Sequence, residues 1–107
     1  MNKELKTAKK VFEEEIERSG LKLANLVLFG SRRRGDYGKD SDWDFLVIVD
    51  EDLSRERKWE LILRIKRRLA KLKIPNDIIM ESEKDMAQKA DNPGHIAHYA
   101  LKEGSQI

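Results

Sequence analysis

The sequence predicts a small α/β (α+β) protein: a mixed β-sheet with helices packed on it, in the order α-β-β-α-β-α. Three observations carry this expectation. Two short apolar runs, residues 25–29 and 43–49, flank a glycine-rich stretch. Two longer stretches, 3–18 and 54–72, repeat apolar residues at helical spacing. A third apolar run, 76–81, follows the second of these. Strands interleaved with helices build one sheet that the helices cover.

In residues 3–18, Leu5, Ala8, Phe12 and Ile16 recur on one helical face with Val11 beside them, and Ser19-Gly20 is a stop signal. The run NLVLF, 25–29, reads as a strand ending at Gly30, after which a turn of helix can begin. WDFLVIV, 43–49, is β-branched and aromatic and of strand length. Ser54 can cap the helix over 54–72, whose stripe is Leu61, Ile65, Leu69 and Leu72 with Ile62 alongside. Arg64, Lys66, Arg67, Arg68 and Lys71 form a basic outer face, and Ile74-Pro75 ends the helix. NDIIME, 76–81, is the third strand. Ser82 and Asp85 resemble a capping pair for a short helix. Pro93 suits a first helical position, and His95 to Lys102 form a last helix.

The 107 residues fit one domain, 1–107, with one modest core. A charged fraction of 39% beside 39% hydrophobic residues suits heavily solvated helices. The net charge of +2 does not announce nucleic-acid binding. The absence of cysteine excludes disulfides, thiolate metal sites and a cysteine nucleophile. The N-terminus has no apolar stretch of signal-peptide length, and no run approaches the ~20 apolar residues of a membrane span. A cytoplasmic protein is the plain expectation.

The chemistry gathers in GSRRRGDYGKDSDWD, residues 30–44. Alternation places Asp42 and Asp44 on one face of the second strand, about 6.6–6.8 Å apart, with Trp43, Phe45, Val47 and Val49 pointing the other way. Carboxylates that close repel each other unless something neutralises them. Oxygen donors without His or Cys suit Mg²⁺ or Mn²⁺. If the second and third strands are neighbours, Asp77 brings a third carboxylate to the same sheet end. Such a cluster can hold the metals of an in-line phosphoryl or nucleotidyl transfer. A D-x-D pair alone is most often solvated surface charge; the preceding loop changes that reading. Gly30 lets backbone approach a ligand, and the amides after it, with the Ser31 hydroxyl, can face an anion. No Gly-Lys-Ser/Thr follows, so this is not a Walker A loop. Arg32, Arg33 and Arg34 add positive charge, though not all three can point inward.

Gly30-Ser31, three residues, Gly35, five residues, then Ser41-Asp42-Trp43-Asp44 resembles the G-S-x3-G-xn-S-D-x-D signature of the DNA polymerase β-like nucleotidyltransferases. The short chain and its ending HIAHYALKEG look most like the minimal nucleotidyltransferases (MNT), and the resemblance covers nearly the whole chain. It implies that Gly30 and Ser31 bind the β and γ phosphates, that Arg34 and Gly35 shape the loop, and that Ser41 belongs to the nucleotide-binding set. It implies that Asp42 and Asp44 ligate Mg²⁺ and that Asp77 completes the metal site and helps activate the attacking hydroxyl. MNT proteins pair with small helical HEPN proteins in toxin–antitoxin systems. The implied reaction is transfer of AMP from ATP to a toxin hydroxyl.

The alternative from another class is an antitoxin that neutralises its toxin by binding alone; the presence of all three carboxylates argues against it. A third reading, RNA binding on the basic face of the 54–72 helix, is weakened by the lack of interleaved aromatics beyond Trp59. Asp50, Glu51 and Asp52 read as a solvated loop beyond the far end of the second strand. His95 and His98 lack the further ligands a zinc site needs. Tyr37, inside the glycine-rich loop, can pack over a base or simply cover the loop.

Overall fold

The computed structural model describes residues 2–89 and 95–107. Its elements are α1 (Lys3–Arg18), β1 (Leu23–Phe29), α2 (Ser31–Arg34), β2 (Trp43–Val49), α3 (Arg55–Lys71), β3 (Asn76–Ser82), α4 (Glu83–Lys89), α5 (Ile96–Glu103) and β4 (Ser105–Gln106). They form a four-stranded mixed sheet in the order β3-β2-β1-β4. β1 runs antiparallel to β2 and β4, while β3 runs parallel to β2.

Sequence explains most of these boundaries. Asn2 caps α1 by accepting from the Leu5 amide, and Ser54 caps α3 by accepting from the Arg57 amide. The Ser82 hydroxyl accepts from the Asp85 amide at 3.0 Å and opens α4. Pro93 lies outside the described residues. The turn of helix expected after Gly30 and the short helix expected near Ser82 appear as α2 and α4, and the strand β4 is an addition to the expected order. β1 also starts two residues before the expected 25, at a register irregularity between Leu23 and Asn25.

β2 is central and covered on both sides, which is why FLVIV is continuously apolar. On one face, Trp43, Phe45, Val47 and Val49 meet Ile78 and Met80 of β3 and the stripes of α1 and α3. The Phe12 and Phe45 rings meet edge to face there at 5.0 Å. On the other face, Val27, Phe29, Leu46 and Ile48 pack with Met86 of α4 and Ala97 and Ala100 of α5. β4 sits beside β1 only because Gly104 has no side chain: a Cβ there would lie 2.7 Å from the Leu28 carbonyl oxygen and would overlap Val27.

The expected basic face of α3 is largely engaged rather than solvated. Arg68 donates to Glu14 at 2.8 Å and to Glu15 at 2.9 Å. Arg64 donates to the Ser19 hydroxyl at 2.6 Å, and Lys66 reaches the Asn76 carbonyl at 3.1 Å. Glu15 is only 1% exposed and is ringed by Arg18, Arg64 and Arg68. These contacts pin α3 to α1 and β3, while Arg67 and Lys71 stay exposed. Among the described residues, no helix is long and apolar enough to cross a membrane.

Candidate active site

Parallel pairing of β2 with β3 makes Asp44 and Asp77 direct register partners. Neighbouring strands stand about 4.7–4.9 Å apart, so the two carboxylates leave adjacent strands at one sheet end. Asp42 lies just before β2, exposed to solvent. Asp44 is the one polar residue of β2 and is half-buried. Its carboxyl holds its proton to higher pH than an ordinary aspartate. Burial is the main cause, repulsion from Asp77 and then Asp42 adds to it, and the Arg34 charge opposes it. Among the described residues, no three His, Asp or Glu side chains are drawn together into a metal cage. The aspartates nevertheless feel one another's charge, and their donors are all oxygen. That fits Mg²⁺, which usually takes one or two carboxylates and completes its shell with substrate phosphates and water.

The loop before β2 is built around this end of the sheet. Phe29 of β1 pairs with Asp44, so Gly30 follows directly beside it. Gly30 adopts φ 76°, ψ −160°, a region essentially reserved for glycine. A Cβ there would overlap the Asp44 Oδ2 and lie 2.9 Å from its Cγ. Ser31 opens α2, and the amides of Ser31 and Arg32, first in that turn, have no partner within the helix. The Gly35 amide closes the turn on the Ser31 carbonyl at 2.9 Å. The Ser41 hydroxyl accepts from the Gly38 amide at 2.9 Å, which shapes the turn into Asp42.

Of the three arginines, Arg34 turns to Asp36 at 3.3 Å. Arg33 is exposed. Arg32, which the motif reading left without a role, is the organiser of the loop. Its guanidinium stacks between the Tyr37 and Trp43 rings, 4.5 and 4.4 Å from their centroids. It also donates to the Ser41 carbonyl at 3.1 and 2.9 Å and to the Lys39 carbonyl at 3.3 Å. The signal available in the sequence was a cation two positions after Gly30 with one aromatic residue in the loop and another at the start of the next strand. Tyr37 is thus held by Arg32. His95 caps α5, its Nδ1 accepting from the Ala97 amide at 3.1 Å. The acidic run beyond β2 is also committed: Asp50 accepts from the Lys22 amide at 2.9 Å, and Asp52 accepts from the Ser82 hydroxyl.

The Nucleotidyltransferase domain family model matches residues 6–92. The protein adenylyltransferase MntA of Aphanizomenon flos-aquae is 38% identical over 91 residues, covering 79% of this chain and 56% of that protein. The chain spans about half the length of the curated relatives it matches. A toxin–antitoxin crystal structure with AMP-PNP shares the fold, with a TM-score of 0.58, 22% identity and coverage of 98% of this chain and 72% of that one. So does a mutant of the toxin–antitoxin pair MntA-HpeT in which two aspartates two positions apart are replaced by glutamate, with a TM-score of 0.56, 21% identity and coverage of 99% and 72%. Since the matched region takes in the glycine loop and all three aspartates, this chain belongs to the nucleotidyltransferase domain family.

Proposed function

We propose that this chain is a divalent-metal-dependent nucleotidyltransferase that moves AMP from ATP to a hydroxyl of a partner protein, a HEPN-type RNase toxin, and so acts as an antitoxin. The observation that carries this reading is the register pairing of Asp44 with Asp77, with Asp42 nearby and Gly30 leaving room for the Asp44 carboxylate. The name of the MntA relative, a protein adenylyltransferase, supports a protein acceptor. The toxin–antitoxin context of the solved neighbours supports a toxin as that acceptor.

In this reading Gly30 and Ser31 hold the β and γ phosphates, with Arg34, Gly35 and Ser41 fixing the loop around them. Asp42, Asp44 and Asp77 hold Mg²⁺, or Mn²⁺ in its place. When bound, the metal supplies positive charge that stabilises the extra negative charge at the α-phosphate in the transition state. The acceptor oxygen bonds to the α-phosphorus, the bond to the bridging oxygen breaks, and pyrophosphate leaves. Asp77, exposed at the strand end, takes the acceptor's proton. Asp44 works ionised, since a protonated carboxyl holds a cation poorly.

The test is the intact mass of a HEPN-type toxin that co-purifies with this chain, after incubation with the chain, ATP and Mg²⁺. The expected result is a gain of one or more AMP units, absent with Asp42→Asn. An unchanged mass with a stable complex would replace the transfer reading with neutralisation by binding alone. Ser31→Ala is expected to weaken triphosphate binding more than monophosphate binding; equal losses would remove the phosphate role from that loop.

A further inference from the structure

A groove of about 470 Å³, lined by none of the three aspartates but starting one residue past Asp77, lies between α3 and the outer edge of β3. Ile78, Ile79, Met80 and Glu81 all line it. Consecutive strand residues point to opposite faces, so a groove that touches all four runs along the backbone edge itself. β3 is the last strand of the sheet, so no further strand stands beside Ile78, Ile79 and Met80 on that edge. Lys66 closes only its Asn76 end. The opposite wall is one face of α3: Arg55, Lys58, Trp59 and Ile62, at helical spacing. Trp59 is 56% exposed beside the groove, and tryptophan is among the residues enriched at binding hot spots.

Charge selects the occupant. Arg55 and Lys58 form no ion pair among the described residues, while Glu81 is buried and already engaged. A second copy of this chain docking edge to edge would bring the same cations face to face across a two-fold axis. Antiparallel pairing centred on Ile79 would also set Asp77 opposite Glu81, a repulsive pair. We propose that the groove takes an extended segment of a partner protein, its apolar side chains alternating with acidic ones, added as a fifth strand along β3. Backbone pairing to the edge supplies affinity, Trp59 and Ile62 receive the apolar side chains, and Arg55 and Lys58 select the acidic ones. None of these residues is one of the three aspartates, although Ile78 follows Asp77 directly on β3, so binding rather than turnover is the readout.

Random twelve-residue peptides displayed on phage and selected on the wild-type chain test this. The expected winners alternate apolar and acidic residues and protect amides within 78–80 from hydrogen exchange. They bind Trp59→Ala and Lys58→Glu at least about tenfold more weakly, as truncation of a hot-spot residue does. Both substituted residues lie on the outside of α3, and circular dichroism checks that each variant keeps its fold. Failure to enrich any peptide, enrichment of basic or helically spaced sequences, or binding indifferent to Trp59 would overturn the proposal. A dimer of the free chain that Trp59→Ala dissociates would overturn it in favour of a second copy.

Discussion

Gly30 leaves empty the space that the Asp44 carboxylate fills. A Cβ at Gly30 would overlap the Asp44 Oδ2, and the Gly30 backbone already sits where other residues are strained. The end of β1 and the start of β2 are thus fitted to each other around one carboxylate. Gly30→Ala is expected to destabilise the fold by about 1–3 kcal/mol from the backbone alone. Displacement of Asp44 should abolish nucleotide binding as well. Thermal unfolding and a nucleotide titration on the same variant check both effects.

Asp44 ties stability to pH. Its carboxyl is raised above the usual range, chiefly by burial and then by Asp77 and Asp42. Its contribution to folding is therefore complete below the unfolded aspartate range and is lost as pH rises through the higher folded value. At neutral pH the ionised Asp44 opposes folding. Asp44→Asn should melt at a higher temperature than wild type at pH 7 without divalent ions, and the gain should vanish below about pH 4. Adding Mg²⁺ should raise the melting temperature of the wild type and leave the variant unmoved.

Arg32 fixes the loop that delivers Asp42. It joins two aromatic rings and two backbone carbonyls, and one of those carbonyls is on Ser41, immediately before Asp42. Lysine keeps the charge but lacks the planar fork. Arg32→Lys is expected to lower turnover at least about tenfold while keeping the fold, and to speed amide exchange across residues 36–41. Wild-type exchange in that loop would show that Arg32 does not hold it.

Glu15 is buried among three arginines, and Arg68 makes the shortest contact with it. Arg68→Ala removes a hydrogen bond to a buried charge and should cost about 1.5–3 kcal/mol in urea unfolding. Activity per folded molecule should not change, because α1 and α3 meet on the sheet face opposite the aspartates.

The strands and long helices are legible in the sequence because burial is continuous along them. β2 is apolar from Phe45 to Val49 because helices cover both its faces, and α3 shows its stripe because one side rests on the sheet. The placement of Asp44 and Asp77 on one face follows from alternation once β2 and β3 pair in the observed register. The pairing itself is a tertiary fact that no local pattern states. β4 is illegible for a related reason: Ser105 and Gln106 are polar, and their pairing depends on Gly104 passing close to Val27 and Leu28. The clasped state of Arg64, Lys66 and Arg68 depends on α1 and β3 meeting α3, so spacing within α3 shows only a basic face. Arg32 is hidden likewise, because its partners converge only when the loop folds back.

The central claim is that Asp42 and Asp44 build a metal-dependent nucleotide site, with Asp77 needed for turnover. Calorimetric titration of the purified chain with a non-hydrolysable ATP analogue, with and without Mg²⁺, tests it most directly. Binding is expected to require Mg²⁺, to be lost in Asp42→Asn and Asp44→Asn, and to survive in Asp77→Asn. Binding of equal strength without the metal, or in Asp44→Asn, would contradict it.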